Sequence, residues 1–174
     1  MDFFSNKWKI VISFNLQSAY LEWVKYWHGY GLAVNKLIMM EVANKNIIKI
    51  FLVDDDVFCL NLYKQGIKNL GYLDITIFED GQSCIDNLSQ KPDVIFLDQN
   101  MDGLNGFEVL KRIKSFDPNI YIIMVSAQED IKTALSSFKY RVFDYIVKGD
   151  DEINKMKNVL IRINEIKTIL KKRS

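Results

Sequence analysis

Residues 93–110 read DVIFLDQNMDGLNGFEVL, and this stretch decides the fold. It opens with a short apolar run, residues 94–97, which is typical of a strand that is buried on both faces. It closes on apolar positions at helical spacing, which continue through residues 107–116. A polar loop that contains Asp98 and Asn100 separates the two parts. A buried strand, a polar loop and a helix in this order predict one βα unit of a parallel sheet.

The same alternation continues on both sides of this stretch. Four more short runs rich in Ile and Val predict strands, at residues 47–53, 73–78, 120–125 and 143–147. Four more segments with helical apolar spacing predict helices, at residues 57–70, 82–89, 130–138 and 153–171. The whole pattern predicts an α/β fold, a doubly wound five-stranded parallel sheet with five helices, over residues 47–174.

The composition excludes several classes of protein. Of the 174 residues, 49% are hydrophobic and 26% are charged, and the formal net charge is +1, so no global field indicates nucleic acid as a partner. No uncharged apolar run reaches the roughly 18 residues of a membrane span, and no signal peptide is recognisable. Cys59 and Cys84 are too few for a disulfide framework. We therefore predict a cytoplasmic protein that binds neither nucleic acid nor membrane.

Residues 1–46 differ from the rest of the chain. They contain all three tryptophans and the single histidine, His28, and they show no sustained periodicity. Two interpretations stay open. The segment is a partner-binding extension, or the given start lies upstream of the true translation start, which is then Met39 or Met40. We favour the second, and in either case expect the regular alternation of strands and helices to begin at residue 47.

Polar side chains follow four of the five predicted strands. They are Asp54, Asp55 and Asp56 after the first, Asp98 after the third, Ser126 after the fourth and Lys148 after the fifth. In an open parallel sheet these ends meet near the point where strand order reverses. Clustered carboxylates repel one another unless a cation neutralises them, and their oxygens suit Mg²⁺. A carboxylate beside Mg²⁺, a hydroxyl and an ammonium is equipped to accept a phosphoryl group. Each residue alone also has an ordinary explanation, since the acids could simply cap the first helix.

Four motifs taken in order resemble the receiver domain of two-component response regulators. They are FLVDDD at residues 51–56, the opening stretch at 93–110, MVSA at 124–127 and DYIVK at 144–148. The ordered set covers about residues 48–171 and is far more specific than any one of its members. The resemblance implies the flavodoxin-like receiver fold.

The resemblance also implies a role for each matching residue. Asp98 is expected to be the phosphoacceptor, and Ser126 and Lys148 are expected to bind phosphoryl oxygens. Mg²⁺ is expected to be held by Asp54, Asp55, Asp98 and the backbone carbonyl of Asn100. Ser126 and Tyr145 are expected to form the conformational switch, with Tyr145 turning inward when Ser126 is drawn toward the phosphate.

Three positions depart from the family pattern. Asp102 stands where the family usually has Pro and Asn105 where it has Asp, which predicts a changed loop and intact chemistry. Gly149 stands where the family commonly has Pro after a cis peptide bond. Because a cis bond before a non-proline residue costs roughly 2.5–4 kcal/mol, the state of the Lys148–Gly149 bond stays open.

The function implied is that of a phosphorelay response regulator and not of an enzyme, since it catalyses only its own phosphorylation and dephosphorylation. The donor is expected to be a histidine kinase or phosphotransfer protein, because residues 47–174 contain no histidine. The downstream protein target is expected to bind around the fourth helix, fifth strand and fifth helix, a surface that includes Lys139, Tyr140 and Arg141.

An alternative function is a Mg²⁺-dependent phosphohydrolase with an aspartyl-phosphate intermediate. Asp98-Gln-Asn100 resembles the Asp-x-Asp motif of the haloacid-dehalogenase-like enzymes. Motif order favours the receiver, because in those enzymes the nucleophile follows the first strand and the acidic pair comes last.

Overall fold

A computed structural model of the protein describes residues 48–127 and 139–173. The described strands are β1 (Ile50–Val53), β2 (Ile75–Phe78), β3 (Val94–Asp98), β4 (Tyr121–Ser126) and β5 (Asp144–Val147). The described helices are α1 (Val57–Asn69), α2 (Gly81–Asp86), α3 (Gly106–Phe116) and α4 (Glu152–Lys171), with a short 3₁₀ helix at Leu88–Gln90. The predicted fourth helix, residues 130–138, and the segment 1–46 lie outside the described residues. Our α4 is therefore the helix predicted fifth in the chain.

The strands form one sheet in the order β2-β1-β3-β4-β5, and every neighbouring pair is parallel. The chain moves outward from β1 to β2, returns past β1 to β3, and then proceeds to β4 and β5. The order of the strands therefore reverses between β1 and β3, which confirms the predicted doubly wound α/β fold.

The sheet is buried on both faces. Alternate residues of each strand point to opposite sides, and each side packs into its own core. In β1, Ile50 and Leu52 pack with Leu60 of α1 and Leu160 of α4. Phe51 and Val53 point the other way, into a second core that also contains the inward faces of α2 and α3. All four β1 residues are buried, which explains why the strand is a continuous apolar run and not an alternating one.

Side chains at the helix starts set the boundaries. Asp56 accepts hydrogen bonds from the N–H groups of Phe58 and Cys59 at the start of α1. Asp80 accepts from the Ser83 N–H at the start of α2, and Asn105 from the Glu108 N–H at the start of α3. Oxygen acceptors at these positions satisfy N–H groups that have no partner inside a helix. The predicted capping role of the acids near residue 56 thus applies to Asp56.

The helices also bear on two predictions from the sequence, those about membrane spans and about the cysteines. Among the described helices, none combines the length and the apolar composition that crossing a bilayer requires. Cys59 is half-buried in α1 and Cys84 is buried in α2, and both are free thiols as expected.

Candidate functional site

The sheet register brings the polar strand ends to one edge. Val53 of β1 pairs with Leu97 of β3, so Asp54 and Asp98 are the next residues on adjacent strands. Ser126 ends β4 opposite Val147 of β5, and the Ser126 carbonyl accepts a hydrogen bond from the Lys148 N–H at 2.8 Å. Because parallel strands end together, residues that are far apart in sequence converge here.

Lys148 joins the two buried carboxylates of this edge. Its Nζ lies 2.8 Å from Asp54 Oδ2 and 2.9 Å from Asp98 Oδ1. Asp54 and Asp98 are only 2% and 3% exposed, so their charges are compensated by protein groups more than by solvent. The sequence placed Lys148 at this edge but could not state its reach, and the structure shows contact with both carboxylates.

The electrostatics of the pair follow from burial and mutual attraction. Burial raises the pKa of the Asp54 carboxyl, and hydrogen bonds from Lys148 and from the Asp56 N–H offset only part of that effect. Burial lowers the pKa of the Lys148 ammonium, but hydrogen bonds to Asp54 and Asp98 outweigh it and hold the pKa above its ordinary value. Lys148 therefore stays protonated across the neutral range, as a fixed positive charge between two acids.

A third carboxylate makes the edge suitable for a metal ion. Asp54, Asp55 and Asp98 each offer an oxygen, and these three oxygens lie within 4.8 Å of one another. Asp55 is exposed, so a cation can reach the cluster from solvent. One ammonium leaves three carboxylates under-neutralised, and carboxylate oxygen is the donor that hard divalent cations prefer. The residues present thus fit the predicted metal.

The three acids after β1, Asp54, Asp55 and Asp56, each make a different contact. Asp54 accepts the Asp56 N–H at 3.0 Å, and Asp55 Oδ2 accepts the Asp102 N–H at 3.1 Å. Asp56 is exposed and caps α1, outside the three-carboxylate group. The contact between Asp55 and Asp102 ties the loop after β1 to the loop after β3, at a position where the family usually has Pro.

The loop after β3 fixes the second oxygen of Asp98. The Asn100 N–H donates to Asp98 Oδ2 at 2.6 Å, so both Asp98 oxygens have a positioned partner. The assignment of the Asn100 carbonyl to the metal stays a prediction. Gly106 begins α3 directly against this loop, and its N–H donates to the Gln99 carbonyl at 3.0 Å.

Tyr145 has a partner that the sequence did not reveal. Its hydroxyl donates to Gln99 Oε1 at 3.1 Å, and its ring packs at the edge of the core beneath α2 and α3. Gln99 is buried and directly follows Asp98 in the chain. The predicted switch residue is thus bonded to the neighbour of the predicted acceptor. Ser126 is fully buried at the end of β4.

The open question about Gly149 is answered by the backbone. Among the described residues there is no cis peptide bond, so the Lys148–Gly149 bond is trans. The Gly149 N–H donates to Glu152 Oε1 at 2.7 Å, a bond that a proline could not make. Glu152 therefore closes the turn after Lys148, and the sequence interpretation missed it.

A buried carboxylate that is paired with a lysine, beside two further acids at the carboxyl edge of a doubly wound parallel sheet, defines an acidic site of the α/β class. The family model described as response regulator receiver domain matches residues 50–159. The chain therefore belongs to the response regulator receiver domain family, the signalling family of two-component systems.

Relatives with known names agree with this assignment. The DNA-binding transcriptional regulator NtrC of Klebsiella pneumoniae is 34% identical over 102 residues, which are 58% of this chain and 22% of NtrC. The regulatory protein LuxO of Vibrio vulnificus is 32% identical over 98 residues, which are 56% of this chain and 21% of LuxO. The chain thus corresponds to about a fifth of the length of these relatives. The crystal structure of the receiver domain of NtrX from Brucella abortus is 27% identical, with a TM-score of 0.62 over 67% of this chain and 98% of that domain.

Proposed function

We propose that this chain is a phosphorylation-dependent switch, in which Asp98 accepts a phosphoryl group and a partner protein responds to the resulting change. The observation that carries the proposal is the setting of Asp98. Its buried carboxylate ends β3, with one oxygen on the Lys148 ammonium and the other on the Asn100 N–H. These contacts orient both oxygens at the edge of the sheet where a donor arrives.

The proposed reaction is transfer from a phosphohistidine of a histidine kinase or a phosphotransfer protein. A carboxylate oxygen of Asp98 attacks phosphorus, the P–N bond breaks, and the donor imidazole leaves with the electron pair. The product is an acyl phosphate on Asp98. Attack of water on the same phosphorus later releases inorganic phosphate and restores the carboxylate. The domain thus acts only on itself.

Two groups of this chain support the transfer. Lys148, whose ammonium lies 2.9 Å from Asp98 Oδ1, is positioned to pair with an oxygen of the phosphoryl group that Asp98 accepts. Asp54, Asp55 and Asp98 would hold Mg²⁺, together with the carbonyl of Asn100. When bound, Mg²⁺ supplies positive charge against the transferred oxygens. The three clustered carboxylate oxygens support this assignment.

The proposed switch uses Ser126 and Tyr145. A phosphoryl group brings negative charge and strong acceptor oxygens, so the Ser126 hydroxyl gains a better partner than a carboxylate. Tyr145 is bonded to Gln99, so a movement of the loop after Asp98 reaches the ring directly. The downstream target then meets a changed surface around Lys139, Tyr140 and Arg141.

The exposed face of α1 supports a protein donor. Phe58 is 75% exposed, and Val57 and Leu62 on the same helix are also exposed. α1 begins directly after the acidic run, so this apolar face lies beside the edge of the sheet that holds Asp98. Apolar groups next to a reactive edge suit contact with another protein more than with a small phosphodonor.

The experiment is incubation of the full chain with acetyl phosphate and Mg²⁺, followed by intact-mass measurement. We expect one added phosphoryl group, which is lost after the donor is removed, and none on Asp98→Asn. Asp56→Asn is the matched control, because it removes an exposed carboxylate and keeps a helix-capping side chain; it should be labelled normally. Undiminished labelling of Asp98→Asn would overturn the proposal.

A second arm tests the donor. Phe58→Ala should slow transfer from a phosphohistidine protein while leaving the acetyl phosphate reaction unchanged. Equal slowing of both reactions would show that Phe58 shapes the site and not the donor contact.

A further inference from the structure

An open groove lies between α3 and the residues that precede β5. Its volume is about 340 Å³, and its lining includes Lys111 and Lys114 of α3, Pro118, and Lys139, Tyr140 and Arg141. Pro118 precedes β4 and residues 139–141 precede β5, whereas Asp98 ends β3. In a parallel sheet this places the groove, here called the α3 groove, at the edge opposite the acidic site.

The α3 groove concentrates positive charge in a chain whose net charge is only +1. Four of its lining residues are cations. No carboxylate of residues 48–127 or 139–173 forms an ion pair with Lys111, Lys139 or Arg141. Burial holds the pKa of the Lys114 ammonium below its ordinary value, and the charge of Asp117 offsets only part of that effect, while the charge of Arg141 adds to it.

The cations are spread along the groove and do not converge on one point. The Lys111 ammonium lies 5.0 Å from the centre of the Tyr140 ring. The Lys114 ammonium donates to the carbonyls of Pro118 at 3.1 Å and Ile120 at 2.6 Å, so it is fixed in the floor. A single small anion needs donors that meet at one place, whereas an extended acidic chain can use charges that are distributed.

Aromatic surface accompanies the charge. Tyr140 is exposed, and its ring also packs edge-on against Phe107 of α3, with the centroids 6.4 Å apart. A supported, exposed tyrosine among cations is typical of a protein-binding surface, because it offers apolar contact area and little side-chain entropy to lose.

We infer that the α3 groove binds an acidic segment of a partner protein, with carboxylates on Lys111, Lys139 and Arg141 and an apolar side chain against Tyr140. The inference deepens the proposed function, since it names the class of partner that the output surface accepts. The groove shares no residue with the acidic site, so its binding can be measured without phosphorylation.

The test begins with selection of peptides from a random library on the immobilised full chain. The most enriched peptide and its analogue with every Asp and Glu replaced by Asn and Gln are then compared by fluorescence anisotropy. We expect selected peptides to be rich in acids and to carry an apolar residue, and the amide analogue to lose binding. Selection of peptides without acidic enrichment would overturn the inference.

Charge reversal locates the binding. Lys111→Glu combined with Lys139→Glu should weaken the acidic peptide about tenfold or more, since two rim ion pairs become repulsions. Lys171→Glu combined with Lys172→Glu makes the same change of charge at the end of α4 and should leave binding intact. Equal losses of peptide affinity in both variants would show that only net charge matters, and would refute binding at the α3 groove.

Two further measurements distinguish an acidic peptide from nucleic acid as the ligand, and the groove from the phosphorylation site. Random-sequence duplex DNA should bind far more weakly than the acidic peptide; a groove-dependent preference for DNA would assign the surface to nucleic acid instead. The groove variant should still be phosphorylated on Asp98. If the wild type binds the peptide but cannot be phosphorylated, the groove inference stands and the proposed function is wrong. If it is phosphorylated but does not bind the peptide, the proposed function stands and the groove inference is wrong.

Discussion

Replacing Gly106 by alanine perturbs the joint between α3 and the acceptor loop. A Cβ atom on Gly106 would lie 2.3 Å from the Asp98 carbonyl oxygen, 2.8 Å from Gln99 Cα and 3.1 Å from Met124 Cε. The two nearest atoms belong to the backbone, so they cannot rotate away. Either α3 moves outward or the end of β3 that carries Asp98 is displaced.

The expected loss of stability can be bounded. Overpacking a well-filled site costs about 1–3 kcal/mol. Alanine opposes this with a gain of roughly 0.5–1 kcal/mol in conformational entropy and helix propensity. Because the clash involves backbone, we expect the clash to dominate, with the free energy of unfolding lowered by about 1–2 kcal/mol. Phosphorylation of Asp98 should also slow, since relief of the clash disturbs the acceptor.

Urea unfolding of the full chain measures the first effect and acetyl phosphate labelling the second. Gly149→Ala is the matched control, because a Cβ atom there meets nothing within 4 Å and the N–H bond to Glu152 is kept. It should change stability by less than about 0.5 kcal/mol. If Gly106→Ala and Gly149→Ala unfold at the same urea concentration with the same slope, the close approach of α3 to Asp98 is refuted.

Three other substitutions or treatments test separate contacts. Lys148→Met leaves two buried carboxylates without their cation, so the free energy of unfolding should fall by roughly 3 kcal/mol and recover partly with Mg²⁺; a loss below about 0.5 kcal/mol would contradict the ion pairs. Tyr145→Phe removes the hydroxyl that donates to Gln99 and should cost about 1 kcal/mol in urea unfolding, whereas an unchanged midpoint would mean that the bond is replaced by water. Burial raises the pKa of Cys84 to about 12, so in native protein at pH 8 this thiol stays protonated and should resist iodoacetamide until the chain is unfolded in urea; fast native alkylation would contradict its burial.

The fold was accessible from sequence because its signals are local and periodic. The apolar run of β3 and the helical spacing of α3 stand next to each other in residues 93–110, and parallel pairing follows from their alternation. Boundaries shifted by one to three residues: the first strand begins at Ile50 and not at residue 47, because Ile48 and Lys49 are not in the sheet ladder although Ile48 is buried.

The acidic site was predictable for the same reason. Asp54, Asp98, Ser126 and Lys148 each follow a recognisable strand, and parallel strands end at one edge. The contacts between side chains were not predictable in this way. Tyr145 and Gln99 are 46 residues apart, and no periodic pattern links a strand tyrosine to a loop glutamine. Pairing of this kind depends on the path of a loop, and a loop has no repeat.

The turn after Lys148 shows how the structure accommodates Gly149 at a position where the family usually has Pro. The sequence left the peptide state open, since glycine replaces the usual proline. The structure keeps the bond trans and gives the freed N–H to Glu152. Glu152 is the first residue of α4, and its contact with the Gly149 N–H depends on the path of the turn, which no periodic pattern in the sequence shows.

We propose above that Asp98 is the residue that forms the acyl phosphate, and chemical trapping tests this directly. Treatment of the phosphorylated full chain with borohydride reduces an aspartyl phosphate to homoserine, and peptide mass spectrometry then reports which position has changed. We expect conversion at residue 98 alone, dependent on Mg²⁺ during labelling. Conversion at Asp54 or Asp55, or labelling on a residue that borohydride does not reduce, would contradict it.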